Sequence, residues 1–112
     1  MKAVASVQAR DHAGVRLVRV DGEIDLSNAR EMLDRISSQV PSDAWQVVVD
    51  LGGLTFLDSS GVAMLFRLGE RMRRNRQELR LLVPEAAPIR RVMELTAVGR
   101  VIPIDAALDA GY

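Results

Sequence analysis

Two periods alternate along this chain. "VRLVRV", residues 15–20, sets apolar side chains against arginines, as a strand with one buried face does. With the small apolar positions before it, this predicts two strands, 3–9 and 14–21, joined through "RDHAG". The period then lengthens. In "SNAREMLDRISSQV", residues 27–40, Ala29, Met32, Leu33, Ile36 and Val40 recur at helical spacing. Ser27 or Asn28 suits the cap of that helix, and Asn28 with Glu31 has capping-box spacing. "PSDA" ends it. "WQVVVDL", 45–51, is a β-branched run of the kind that forms a buried, parallel strand, and "GGLTFLD" reads as a short loop after it.

A second helix follows. Val62, Leu65, Leu68, Gly69 and Met72 share one face, with Arg67, Glu70, Arg71 and Arg74 opposite. "LRLLV", 79–83, is another buried strand, closed by Pro84. "PIRRVMELTAV" predicts a third helix, with Pro88 at its first position and Gly99 just past its end. "VIPI", 101–104, fits an edge strand because Pro103 cannot donate to a ladder. Asp105 is expected to cap a short terminal helix.

The predicted order is β-β-α-β-α-β-α-β-α. That is an α/β domain over 1–112, with a single mixed, mainly parallel sheet of about five strands and about four helices. In open sheets of this kind function gathers at the carboxyl ends of the strands. The stretch "FLDSSGVAML", 56–65, lies at such an end, and "DGEID", 21–25, reaches the same edge.

Composition narrows the chemistry. The 112 residues contain no cysteine and one histidine, His12, which excludes disulfides, thiol catalysis and a histidine-rich metal site. Fifteen basic residues balance 15 acidic ones, so neither nucleic acid nor a membrane surface is an expected general partner. No apolar run approaches the ~20 residues of a membrane span, and the first residues lack a signal-peptide core. The expectation is a soluble, cytoplasmic protein.

Asp58-Ser59-Ser60-Gly61 admits two compatible readings. An Asp or Ser at a helix start accepts hydrogen bonds from the free N–H groups of the first turn, and Gly61 allows close packing. A hydroxyl at a helix N-terminus is also a place where an added anion is favoured. Nucleophilic catalysis by Ser59 needs an activating base; His12 sits in the predicted hairpin turn, and the context is not G-x-S-x-G. "GGLTFLDSSG" lacks the lysine of a phosphate-binding loop. Asp21, Glu23 and Asp25 read as turn and cap chemistry or as an acidic partner-binding edge beside Asp58. "RMRRNRQELR", 71–80, reads as the solvated end of an amphipathic helix, with Glu70 and Arg74 spaced to pair.

"VVVDLGGLTFLDSSGVAML" resembles the signature of STAS domains, the family that includes the anti-sigma factor antagonists. "VDGEID" resembles the family's earlier Gly-Glu-aliphatic-Asp segment, and "ELTAVGRVIPI" its last helix and strand. One departure is Gly52, where the family often has serine. The resemblance implies that Ser59 is a phosphorylation site, with Ser60 the alternative. It also implies a partner-binding surface made of Asp25, Asp58, Ser59, Ser60 and Gly61. The implied partners are an anti-sigma factor with serine kinase activity and a PP2C-type serine phosphatase, with no direct contact to DNA and no membrane insertion. No catalysis, cofactor or metal is implied. Two other roles remain open. One is a STAS subunit of a lipid-transport ATPase or stress-signalling complex, and the other is a small-ligand or nucleotide sensor.

Overall fold

The computed structural model describes residues 2–108. Strands β1 (Ala5–His12) and β2 (Val15–Ile24) form an antiparallel hairpin, turned by Ala13 and Gly14 at φ 51° and 82°. Positive φ at both turn positions matches the right-handed twist of the flanking strands. Helix α1 (Ala29–Ser38) leads to β3 (Gln46–Leu57), α2 (Ser59–Arg74) to β4 (Glu78–Leu82), and α3 (Arg90–Leu95) with α4 (Val98–Val101) to β5 (Ile104–Asp105). The sheet order is β1-β2-β3-β4-β5, antiparallel only between β1 and β2. The expected fold class is therefore the observed one.

The alternation of the strands divides the two faces. Val18, Val20, Val47, Val49 and Leu81 point into the main core, where they meet Met32, Ile36, Leu65, Leu68, Met93 and Val98. All four helices thus contribute to one layer. Among the described residues the opposite face buries a smaller cluster, Val15, Leu17, Val48 and Leu82, with Leu108 against them. Each fully buried Val or Leu in the main core stabilises the fold by about 1.5–3 kcal/mol before chain entropy is counted.

Three local expectations are corrected. First, "GGLTFL" is not a loop, because β3 runs on to Leu57. Arg19 faces Asp50 but Asp21 faces Gly53, and Gly22 faces Leu54 but Glu23 faces Phe56, so each step puts one extra residue on β3. Such bulges bend a strand without ending it. They bring Leu57, rather than Thr55, opposite Ile24. Gly53 leaves room at the first bulge for the Asp21 carboxylate, which a Cβ there would displace.

Second, the predicted helix over 88–98 is two helices. Thr96 is extended, at φ −110° and ψ 167°. Met93 and Val98 are both buried, yet five residues turn a helix by about 500°, placing them about 140° apart. The break buries both. Pro88 precedes the helix, whose flanking residue is Ile89, and Gly99 lies inside α4 instead of beyond a helix end. Third, the edge strand is shorter than expected, starting three residues later at Ile104 and ending one later at Asp105, because Val101 belongs to α4. Pro103 contributes only its carbonyl, which accepts from the Leu81 N–H at 2.9 Å. Asp105 belongs to β5 and pairs with Arg80 at 2.7 Å. Residues 106–108 are not helical, and the rest of the predicted terminal helix lies outside the described residues.

Candidate functional site

The two bulges set the geometry of the carboxyl edge. Because Ile24 and Leu57 end their strands side by side, the residues that follow, Asp25 and Asp58, open neighbouring loops. The Asp58 N–H donates to the Ile24 carbonyl at 3.3 Å and ties the two together. Glu23, Asp25 and Asp58 share this edge. Asp21 does not, because it is held on the open sheet face by Arg19 at 2.9 Å, with Asp50 as the second partner of that arginine at 3.3 Å. The expected acidic edge is therefore shorter than the sequence suggested.

Asp58 is the cap of α2. Its Oδ1 accepts from the N–H groups of Ser60 at 2.9 Å and Gly61 at 3.1 Å, a pairing worth about 1 kcal/mol. Ser59 is the first helical residue and is exposed. Its hydroxyl has no hydrogen-bond partner among the described residues. Ser60 is half-buried and turns toward a cleft between α1 and α2. The capping role considered for Ser60 belongs to Asp58. Gly61 is buried against Leu57 and Ile24 so closely that a Cβ would overlap Leu57. Phe56 is exposed, while Leu57 is buried.

Asp25 organises the other loop. Its Oδ1 accepts from the Ser27 hydroxyl at 2.5 Å and the Ser27 N–H at 2.8 Å. The Ser27 hydroxyl, followed by its backbone N–H, holds the Asp25 carboxyl below the usual aspartate range. Asn28, expected to cap α1 with its side chain, makes no such bond. Its amide instead donates to the carbonyls of Glu23 at 2.9 Å and Ala3 at 3.2 Å, and its Oδ1 accepts from the Asp25 N–H at 3.0 Å. Glu31 pairs with Lys2 at 2.9 Å, so the capping box is not formed. Tertiary partners have taken both side chains.

Sequence reasoning missed Leu26, an 81% exposed leucine between Asp25 and Ser27. Its only signal was its apolarity in a polar loop. His12 ends the hairpin at the far end of β2 from Asp25, away from Ser59. Among the described residues no group of three His, Asp or Glu side chains stands close enough to hold a metal ion. No helix among them is long and apolar enough to cross a membrane.

The site is therefore an exposed hydroxyl at a capped helix start, beside the Asp58 carboxylate, on the edge of an α/β layer. The STAS domain model matches residues 6–111, and the chain belongs to that family. It is 33% identical over 67 residues to the anti-sigma-F factor antagonist RsfB of Mycobacterium tuberculosis, a match covering 60% of this chain and 55% of RsfB. The chain thus spans little more than half the length of that relative. The crystal structure of an anti-sigma factor antagonist from Mycobacterium paratuberculosis superposes with a TM-score of 0.80 at 28% identity, covering 96% of this chain and 91% of that one. SpoIIAA in its unphosphorylated form shares the fold at a TM-score of 0.66 and 20% identity, over 89% of this chain and 88% of its own.

Proposed function

We propose that the chain is an anti-sigma factor antagonist switched at Ser59. In its unphosphorylated form it binds an anti-sigma factor that is also a serine kinase, and the sigma factor is released. The kinase transfers the γ-phosphoryl group of ATP to the Ser59 Oγ. The terminal P–O bond of ATP breaks to leave ADP, and the hydroxyl proton passes to a base of the kinase. A PP2C-type phosphatase restores the hydroxyl by hydrolysis. The chain itself supplies no catalytic group.

The observation that carries this reading is the contrast between the two serines. Neither hydroxyl has a hydrogen-bond partner among the described residues, but Ser59 is exposed whereas Ser60 is half-buried against a cleft. A kinase can reach the first without unfolding the helix. The names of RsfB and of the M. paratuberculosis protein support the antagonist role, and SpoIIAA has been solved in a phosphorylated form as well. Asp58 refines the physics. It already holds the Ser60 and Gly61 N–H groups, so a phosphate on Ser59 keeps the attraction of the helix dipole without those two donors. About −1.5 to −2 charges are then added beside the Asp58 carboxylate and left to face the partner. Like-charge contact at an interface costs several kcal/mol, so the fold tolerates the phosphate and the complex does not.

The test is direct. Ser59→Asp is expected to weaken binding to the anti-sigma factor by about 100-fold or more, near 2.7 kcal/mol, while Ser59→Ala binds with or without ATP. Both variants keep the wild-type circular dichroism and melt. Incubation with kinase and ATP adds one phosphate to wild type by intact mass, and none to Ser59→Ala. Tight binding by a folded Ser59→Asp variant ends the proposal. No added phosphate on wild type points instead to a subunit of another assembly.

A further inference from the structure

Beside Ser60 the cleft between α1 and α2 opens over about 380 Å³. Its floor is apolar, built from Ala29, Leu33 and Met64, with Leu26 standing exposed at its mouth. Arg30 on α1 and Arg67 on α2 line it from either side. The same two arginines continue into a charged second half of about 310 Å³. There the other charges are matched within the chain, Arg71 with Asp34 at 3.4 Å and Arg74 with Glu70 at 3.6 Å. Arg30 and Arg67 are the exceptions. Both are exposed, and neither has an ion pair or hydrogen bond among the described residues.

We infer that this cleft takes one amphipathic helix of the partner protein, with an apolar stripe flanked on both sides by carboxylates. An apolar floor between two helices accepts apolar anchors at positions i, i+3, i+4 and i+7 of a third. Met64 is pliable enough to fit them. The guanidinium of arginine grips a carboxylate with two parallel hydrogen bonds, so two unspent arginines across the floor select acidic flanks and reject basic ones. An anionic bilayer is the poorer fit. It is flat where the cleft is concave, and it would meet Asp34 and Glu70 in the charged half and Asp25 and Asp58 at the serine end. The inference deepens the switch by naming the chemistry of the partner segment, and it rests on that reading for the partner being a protein that covers Ser59.

The experiment uses the whole chain, isotope-labelled, and two synthetic peptides of about 14 residues, four turns of helix. One places leucines at the i, i+3, i+4 and i+7 positions between glutamates, and the other replaces every glutamate by lysine. The glutamate peptide is expected to shift the amides of Ala29, Arg30, Leu33, Ala63, Met64 and Arg67 saturably, and the lysine peptide to bind at least about tenfold more weakly. Arg30→Glu with Arg67→Glu reverses the preference; both sites are exposed, so the fold is kept. Equal affinity for the two peptides, shifts elsewhere, or no saturable shift overturns the inference. Concentration-dependent shifts at these residues without peptide, which would mark a second copy in the cleft, overturn it too. So does binding to phosphatidylglycerol vesicles that the double variant abolishes while neither peptide binds. The switch is read separately. Phosphorylation at Ser59 with no peptide discrimination removes the cleft alone, and peptide discrimination with no phosphorylation removes the switch alone.

Discussion

The starts of α1 and α2 occupy equivalent places, each just after a parallel strand on the same edge of the sheet, yet they are built in opposite ways. Asn28 before α1 is 2% exposed, and its side chain faces inward to the backbone of Ala3, Glu23 and Asp25. Asp58 before α2 turns its carboxylate onto its own helix and leaves Ser59 bare. One start is spent on holding the chain together and the other is left exposed. Position in the fold is the same for both; the difference lies in where a single polar side chain sends its hydrogen bonds.

The sharpest way to break this comparison is at Asn28. Asn28→Ala strips the carbonyls of Ala3 and Glu23 and the Asp25 N–H of their partners. Each hydrogen bond lost costs about 0.5–1.5 kcal/mol, and Ala3, Glu23 and Asp25 are half-buried or exposed, so some of their groups will recover water. A loss of about 3 kcal/mol is expected in a urea titration, with the proposed phosphorylation of Ser59 unchanged in the folded fraction. If the loss were only that of an ordinary helix cap, the two starts would not differ in kind.

Asp58→Ala is the counterpart, with a smaller effect. It removes one cap with two hydrogen bonds at the half-exposed start of α2, worth about 1 kcal/mol. For a domain of this size that lowers Tm by about 4 °C. Asp58→Asn, which keeps an acceptor, recovers most of the shift in the same calorimetric scan. A loss as large as that at Asn28 would mean that the open start is also structural.

Much of this was legible beforehand, and the exceptions have a common cause. The face of α2 carries its period in side chains that reach one core, so local pattern and final burial agree; "VRLVRV" and "LRLLV" are strands as expected, but they bury apolar side chains on both faces, Val18, Val20, Leu79 and Leu81 in the main core and Val15, Leu17 and Leu82 opposite. "GGLTFL" carries no such period. It is a strand only because β2 lies alongside to pair with it, and because Gly53 clears room for Asp21. The division of α3 from α4 is set by the need to bury both Met93 and Val98, a demand no local propensity expresses. Asp58 was readable as a cap because its partners are two and three residues away. Asn28 was misread because its partners include Ala3, 25 residues back. The cleft between α1 and α2 escaped for the same reason, since Arg30 and Arg67 face each other only once both helices lie on one face.

The smallest effect lies at Ser27, where charge enters the comparison. The folded-state pKa of Asp25 is depressed, chiefly by the Ser27 hydroxyl. A depressed carboxyl stabilises the fold above its unfolded pKa of about 4, and that contribution fades as the pH falls through the folded value. Ser27→Ala removes the hydroxyl but leaves the backbone N–H in place. The Asp25 carboxyl should therefore titrate higher, though still below the usual range, when followed by the NMR shift of its carboxyl carbon. Its stability deficit relative to wild type should be constant near neutrality and shrink below about pH 4. The Ser27 hydroxyl also accepts from the Ala3 N–H at 2.9 Å, a bond with no proton to lose in this range. A deficit that persists undiminished in acid would assign the role of Ser27 to that tether. The loop before α1 would then be held, like Asn28, by the N-terminal segment and not by the charge of Asp25.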